Sequence, residues 1–171
     1  KEKTGDYLSI DNIDGEVGNG NKVQQNSPVF VNTTEQFVSI STGVHTCGLL
    51  SNGSMMCWGR NLEGQIGNGN EGADVINPVF VNTTESFVSM NVGTYTNCGL
   101  LSNGSAMCWG RNVEGQLGIG NDTGPDSCTG GVCSKIPVLV NTTETMESRF
   151  PVIGNATDVA SGSVATTIWA D

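Results

Sequence analysis

An all-β fold of propeller-type repeats, each a four-stranded antiparallel blade, is what this 171-residue sequence predicts, on three observations. The first is a long motif running from Cys47 through Cys57-Trp58-Gly59-Arg60-Asn61 to Gly69, which returns almost letter for letter from Cys98 to Gly120. A period of about 50 residues marks repeat arrays and propellers. The second is that each unit holds four short apolar runs, which in the second unit lie near residues 79–81, 87–92, 98–101 and 107–110; four strands make a blade. The third is the lack of any sustained three-to-four-residue apolar period in a chain with 24 glycines, which argues against helices and for turns.

The central hairpin follows from its turn. Leu49-Leu50 and Met55-Met56 flank Ser51-Asn52-Gly53-Ser54, a tight-turn sequence between apolar runs. A three-residue loop with Gly53 left-handed pairs Leu50 with Ser54 and sets Cys47 opposite Cys57, within reach of a cross-strand disulfide. The second copy sets Cys98 opposite Cys108 around Ser102-Asn103-Gly104. The third expected disulfide, Cys128–Cys133, brackets Thr129-Gly130-Gly131-Val132 in an inserted loop. Zinc is the rival reading of six cysteines, but one histidine and no CxxC spacing speak for disulfides and an oxidising compartment.

Residues 1–27 are expected to form the end of a partial N-terminal blade and its connection, because Tyr7 to Gly20 aligns with Met56 to Gly69. Residues 28–69 make the first full repeat, opened by Pro28-Val29-Phe30-Val31-Asn32-Thr33-Thr34-Glu35. Residues 70–120 make the second, with Pro78 to Glu85 in the matching place. Residues 121–171 make the third, with Pro137 to Glu144, the disulfide loop, an insertion around 145–155 and a partial blade at the end. That amounts to two complete blades and two complementary partial ones, about three blade equivalents, where closed rings have about four to eight. Two readings stay open: a window of a longer propeller, or a subunit whose last half-blade is completed by the next copy, giving a head-to-tail filament. No apolar leader segment follows Lys1-Glu2-Lys3, which implies a removed leader or a piece of a longer chain.

Gly43-Val44-His45-Thr46-Cys47-Gly48-Leu49-Leu50, Asn52-Gly53, Cys57-Trp58-Gly59-Arg60-Asn61 and Gly64-Gln65-Ile66-Gly67 together resemble the regulator-of-chromosome-condensation repeat family. Cys98-Gly99-Leu100-Leu101, Cys108-Trp109-Gly110-Arg111-Asn112 and Gly115-Gln116-Leu117-Gly118 match again, and weakened forms extend over nearly the whole chain. The resemblance implies a typically seven-bladed propeller, of which this chain supplies fewer than half. Family members include a nuclear exchange factor for a small GTPase, a plant ultraviolet photoreceptor, ubiquitin-ligase regulators and bacterial secreted inhibitors. The shared implication is protein–protein recognition rather than one activity. The paired cysteines and sequons depart from the nuclear exchange factor, and Trp58, Trp109 and Trp169, one per repeat, do not form a photoreceptor-like cluster. In the outer repeats Ser9-Ile10 replaces Trp-Gly and Thr166 replaces the cysteine.

Seven N-glycosylation sequons, at Asn32, Asn52, Asn82, Asn103, Asn121, Asn141 and Asn155, support the oxidising compartment. Asn32, Asn82 and Asn141 recur in phase, whereas Asn52 and Asn103 are also explained by turn chemistry. A net charge of −10 with seven Lys and Arg excludes a phosphate-tracking nucleic-acid binder, and no apolar run of spanning length exists for membrane insertion. No catalytic residue, metal or cofactor is expected. His45, the sole histidine, reads as structural, and the acidic loops 68–74 and 121–126 lack EF-hand spacing. Arg60 and Arg111 are expected to brace the adjacent blade or to meet a partner's carboxylates. The leading expectation is therefore a non-enzymatic, secreted, extracellular glycoprotein, structural or adhesive, partnered by its own copies or another protein and by N-linked glycans. The alternative is a protein- or glycan-recognition fragment of a larger closed propeller, and the third reading is a regulator or exchange factor of a partner enzyme.

Overall fold

The computed structural model describes residues 7–8, 11–142, 158–161 and 166–169. Asn155 and the insertion expected around 145–155 lie outside them. All strand pairings in the described residues are antiparallel.

The chain enters through β1 (Tyr7–Leu8), which pairs with β2 (Val29–Phe30). A four-stranded sheet follows, built in sequence order from β3 (Phe37–Thr42), β4 (His45–Leu50), β5 (Met55–Gly59) and β6 (Val75–Phe80). The next sheet begins the same way with β7 (Phe87–Val92), β8 (Thr96–Leu101) and β9 (Ala106–Arg111). Its outer part is a hairpin of β10 (Asp126–Cys128) and β11 (Gly131–Leu139), giving the order β7-β8-β9-β11-β10. Last come β12 (Asp158–Ser161) and β13 (Thr166–Trp169), paired with each other, with β12 lying beside β7 and β8.

The hairpin turn is a three-residue loop. Gly53 has φ +83°, its N–H donates to Leu50 O at 3.0 Å, and Leu50 N–H donates to Ser54 O at 2.9 Å. Counting outward puts Cys47 opposite Cys57 and Cys98 opposite Cys108. Both are non-hydrogen-bonded positions, where opposed strands come closest. The Cα–Cα distance is 4.1 Å in each, and the structure joins both pairs as disulfides.

Alternation along the strands sorts the core. Cys47, Leu49, Met55 and Cys57 face the following unit and pack with Ile66, Val81, Phe87, Met90 and Trp109. Leu50, Met56 and Trp58 face the preceding unit and pack with Val31. The inner strands carry a matching β-bulge: Phe37 pairs with Leu50 and Ser39 with Leu49, and β7 repeats this at Phe87 and Ser89. The surplus residues, Val38 and Val88, are turned outward and exposed. Phe37 and Phe87 fold over Gly48 and Gly99, which have no room for a side chain, and tilt against Trp58 and Trp109 at 5.5 and 5.9 Å.

Sheets and sequence units are out of phase. The Pro78-Val79-Phe80 run opens the second sequence repeat, yet β6 bonds to β5 and closes the first sheet, with Val79 opposite Cys57 and Phe80 opposite Met56. The pair β1–β2 has the corresponding register, with Leu8 opposite Val29 and Tyr7 opposite Phe30.

Candidate functional site

The loops 12–17, 61–66 and 112–117 bridge successive units, and each opens with a buried asparagine. The Oδ1 atoms of Asn12, Asn61 and Asn112 accept from the N–H groups of Val17, Ile66 and Leu117, all at 3.0 Å. Their Nδ2 groups donate to the carbonyls of Asn21, Asn70 and Asn121 at 3.0–3.1 Å. An amide that satisfies both donor and acceptor within its loop holds that loop rigid.

Rigidity aims one carbonyl at the next sheet. Glu16 O accepts from Trp58 Nε1 at 2.7 Å and from Thr46 Oγ1 at 2.9 Å. One repeat later Gln65 O accepts from Trp109 Nε1 at 3.0 Å and from Asn97 Nδ2 at 2.6 Å. Each indole also packs closely against the glycine that follows the loop. Gly18 and Gly67 have φ +71° and +73°, and a Cβ there would meet the indole nitrogens at 2.5 and 2.6 Å. Asn97 replaces the threonine of the earlier unit and reaches further, so its Oδ1 accepts from His45 Nε2 at 2.7 Å. Because Asn97 Nδ2 is already donating, His45 carries its proton on Nε2. His45 is buried, which lowers its pKa to about 4. The sole histidine is a neutral seam residue.

Beyond this seam the strands β5 and β9 run into a shared rim. Arg60 N–H donates to Val44 O at 3.3 Å and Arg111 N–H to Tyr95 O at 3.0 Å. Both guanidinium groups lie over the Tyr95 ring, at 5.7 and 5.8 Å from its centre, within cation–π range. Arg60 Nη1 is 3.9 Å from Asp14 Oδ2 across the seam. Repeat symmetry pairs Arg111 with Glu63, but that ion pair does not form among the described residues. The Glu63 carboxylate sits instead against Gly130, with Oε2 buried and unpartnered. Gly130 belongs to the inserted loop, in which Cys128 and Cys133 are joined with Cα atoms 5.9 Å apart, and Thr129 donates through N–H and Oγ1 to Glu71 Oε2 at 3.3 and 3.0 Å.

The residues singled out from sequence separate in space. The six cysteines lie in hairpins; Arg60 and Arg111 converge on one rim. Asn32, Asn52, Asn82, Asn103, Asn121 and Asn141 are exposed. Several serve turns: Asn52 and Asn103 accept from the N–H groups of Ser54 and Ser105 at 2.9 Å, and Asn121 accepts from Thr123 N–H at 3.1 Å. Asn32 Nδ2 donates to Asn77 Oδ1 at 2.8 Å. Among the described residues no group of His, Cys, Asp and Glu is arranged to hold a metal, and no helix is long and apolar enough to cross a membrane. Tyr95 and Asn97 were not legible as site residues. Their signal was a length difference: Gly93 to Cys98 is one residue longer than Gly43 to Cys47.

Two family models, each described as a Regulator of chromosome condensation (RCC1) repeat, match this chain, one over residues 37–65 and 87–116 and the other over 103–168. Between them they take in more than half of it. Among solved structures, yeast RCC1 (Prp20) bound to Kap60 superposes with a TM-score of 0.74 at 20% identity, over 96% of this chain and 37% of that one. Human WBSCR16 gives 0.73 at 17% identity over 99% and 41%. Prp20p from Saccharomyces cerevisiae, whose structure was described with its binding properties to Gsp1p and histones, gives 0.63 at 20% identity over 91% and 36%. The chain spans less than half the length of each of these proteins.

These comparisons correct the leading expectation. The two Prp20 structures that share this fold are described with Kap60 and with Gsp1p and histones, that is, in recognition of other proteins. The secreted, extracellular, structural or adhesive role, the filament of self-copies and the N-linked glycan partners are withdrawn. Local geometry supplies the physical reason. Cysteine pairing is what the hairpin register produces at its closest positions, and the Asn and Thr residues of the sequons do turn work, as when Thr33 and Thr83 Oγ1 accept from Glu35 and Glu85 N–H at 3.1 Å.

Proposed function

Because the chain belongs to the regulator of chromosome condensation (RCC1) repeat family, we propose that it is a non-catalytic, protein-recognising part of a larger closed propeller built of such blades. Its partner is read at the rim that carries Arg60, Tyr95 and Arg111. The single observation that carries this reading is the convergence of two arginines from successive units on one tyrosine. A stacked, half-buried guanidinium keeps donors free while having little rotamer freedom left to lose on binding. The seams beneath it are tied by the Trp58, Trp109 and Asn97 hydrogen bonds to main-chain carbonyls, which hold the rim as one surface. Its histidine is bonded to Asn97 within the seam, and the reading needs no chemical step.

A photo-crosslinking residue in place of Thr94, beside Tyr95, tests this against one in place of Asn103 in the opposite hairpin turn. The expected outcome is a protein adduct from position 94 and none from 103. Equal labelling at both positions would remove the rim as the recognition surface.

A further inference from the structure

We infer that the partner docks through an acidic peptide segment, whose aspartate or glutamate carboxylate is taken by Arg111 in the place that Asp14 takes beside Arg60. The inference rests on the recognition reading above and names the partner's chemistry. Its basis is a broken symmetry. Arg60 and Arg111 occupy the same position in successive units, each directly after the Trp-Gly pair, Arg60 just beyond the end of β5 and Arg111 as the last residue of β9. Arg60 faces Asp14 of the preceding loop at 3.9 Å. The corresponding loop residue for Arg111 is Glu63, and Glu63 is turned away against Gly130 of the disulfide-closed loop. Arg111 therefore has no carboxylate among the described residues; its Nε, like that of Arg60, is buried without a hydrogen-bond partner, so the missing carboxylate alone separates the two.

A guanidinium already held flat over Tyr95 offers its edge in the geometry that a carboxylate fills with two parallel hydrogen bonds. The same surroundings select among anions. The chain carries a net charge of −10, and Asp14 lies beside the neighbouring arginine. Such a setting repels an extended phosphate backbone, whose binding needs many basic contacts. A short segment with one or two carboxylates meets a cation locally and avoids the rest.

The probe is an amidated twelve-residue peptide of Ala and Gln with a single central Glu, against its Gln-for-Glu counterpart and an oligothymidylate of the same length. The readout is the Arg Nε–Hε resonances in ¹⁵N-labelled protein. Saturable shifts of Arg111 are expected with the Glu peptide and not with the Gln peptide. Affinity is expected to drop at least tenfold in both Arg111→Ala and Arg111→Gln, with the backbone amide spectrum of each variant still that of the folded protein. Arg111→Lys should lose most of the affinity despite keeping the charge, and Glu63→Gln should change it less than twofold. Equal binding of the Gln peptide, stronger binding of the oligothymidylate, or wild-type affinity in Arg111→Gln would each overturn the proposal. If the crosslink at position 94 forms while the Glu peptide fails, the recognition surface stands and the acidic partner falls. If neither occurs, both fall.

Discussion

Trp109 ties two units together through one nitrogen, and its neighbours make the bond testable. In Trp109→Phe the Gln65 carbonyl keeps only Asn97, and the smaller ring leaves a void in the core. The expected loss is about 2–4 kcal/mol, read as a shift of the urea midpoint. Gly67→Ala should be at least as damaging, because a methyl group at φ +73° would run into the indole 2.6 Å away. His45 gives a pH signature. The unfolded chain takes up its proton at the ordinary value of 6.5, the folded protein only at about 4. Between these values the unfolded state binds more protons, so this contribution is complete above pH 6.5 and is lost as pH falls toward 4. The full loss is about 3 kcal/mol. Glu16, whose pKa burial raises, works in the opposite direction near the carboxylate range. The difference between wild type and His45→Gln in chemical denaturation across pH 4–7 isolates the histidine, and a flat difference would refute its burial as a neutral group. The tryptophans were visible in the sequence as one per repeat, but their role was not. Their acceptors are main-chain carbonyls 42 and 44 residues away, and every residue carries a carbonyl.

At the scale of the element, the hairpins were the most legible part of the chain. A turn of known length and a side-chain period of two fix the opposed residues with local information alone. Removing the Cys98–Cys108 bridge as a double serine variant should cost about 3 kcal/mol, and removing Cys128–Cys133, which closes a shorter loop, about 2 kcal/mol in the chain-entropy account. The two differ more in what they release. Cys98 and Cys108 lie fully inside the core, so their loss lowers the global melting temperature. The 128–133 loop is clasped to Glu71, and hydrogen exchange in its Cys128→Ser/Cys133→Ser variant should accelerate there and at the Arg111 end of β9, which pairs with the buried Cys133, while the amides of β8 keep their protection. Strand membership was the part not legible. The period counts residues and says nothing of which neighbour a strand bonds, so β6 read as the start of a unit although it closes the sheet before it.

Across the whole molecule, repetition was enough to predict an all-β array and its family, since the glycines, tryptophans and asparagines of the motif recur at the places the seams use. Location and partner were not, because cysteines and sequons that suit an oxidising compartment also suit tight hairpins and turns. Arg60 and Arg111 were visible as candidates, but their meeting over Tyr95 was not, because that rim is assembled from two units and depends on a one-residue insertion that breaks the pattern. The offset between sheet and repeat has a wider consequence, for genetics rather than mechanics. If recombination deletes or duplicates one unit between equivalent points, the strand lost from a sheet is replaced by its homologue from the next unit, with the same Pro-Val start and the same register. A change of copy number by whole units therefore leaves each sheet with its full set of strands, and selection on the number of units falls on closure of the ring rather than on the pairing within a sheet.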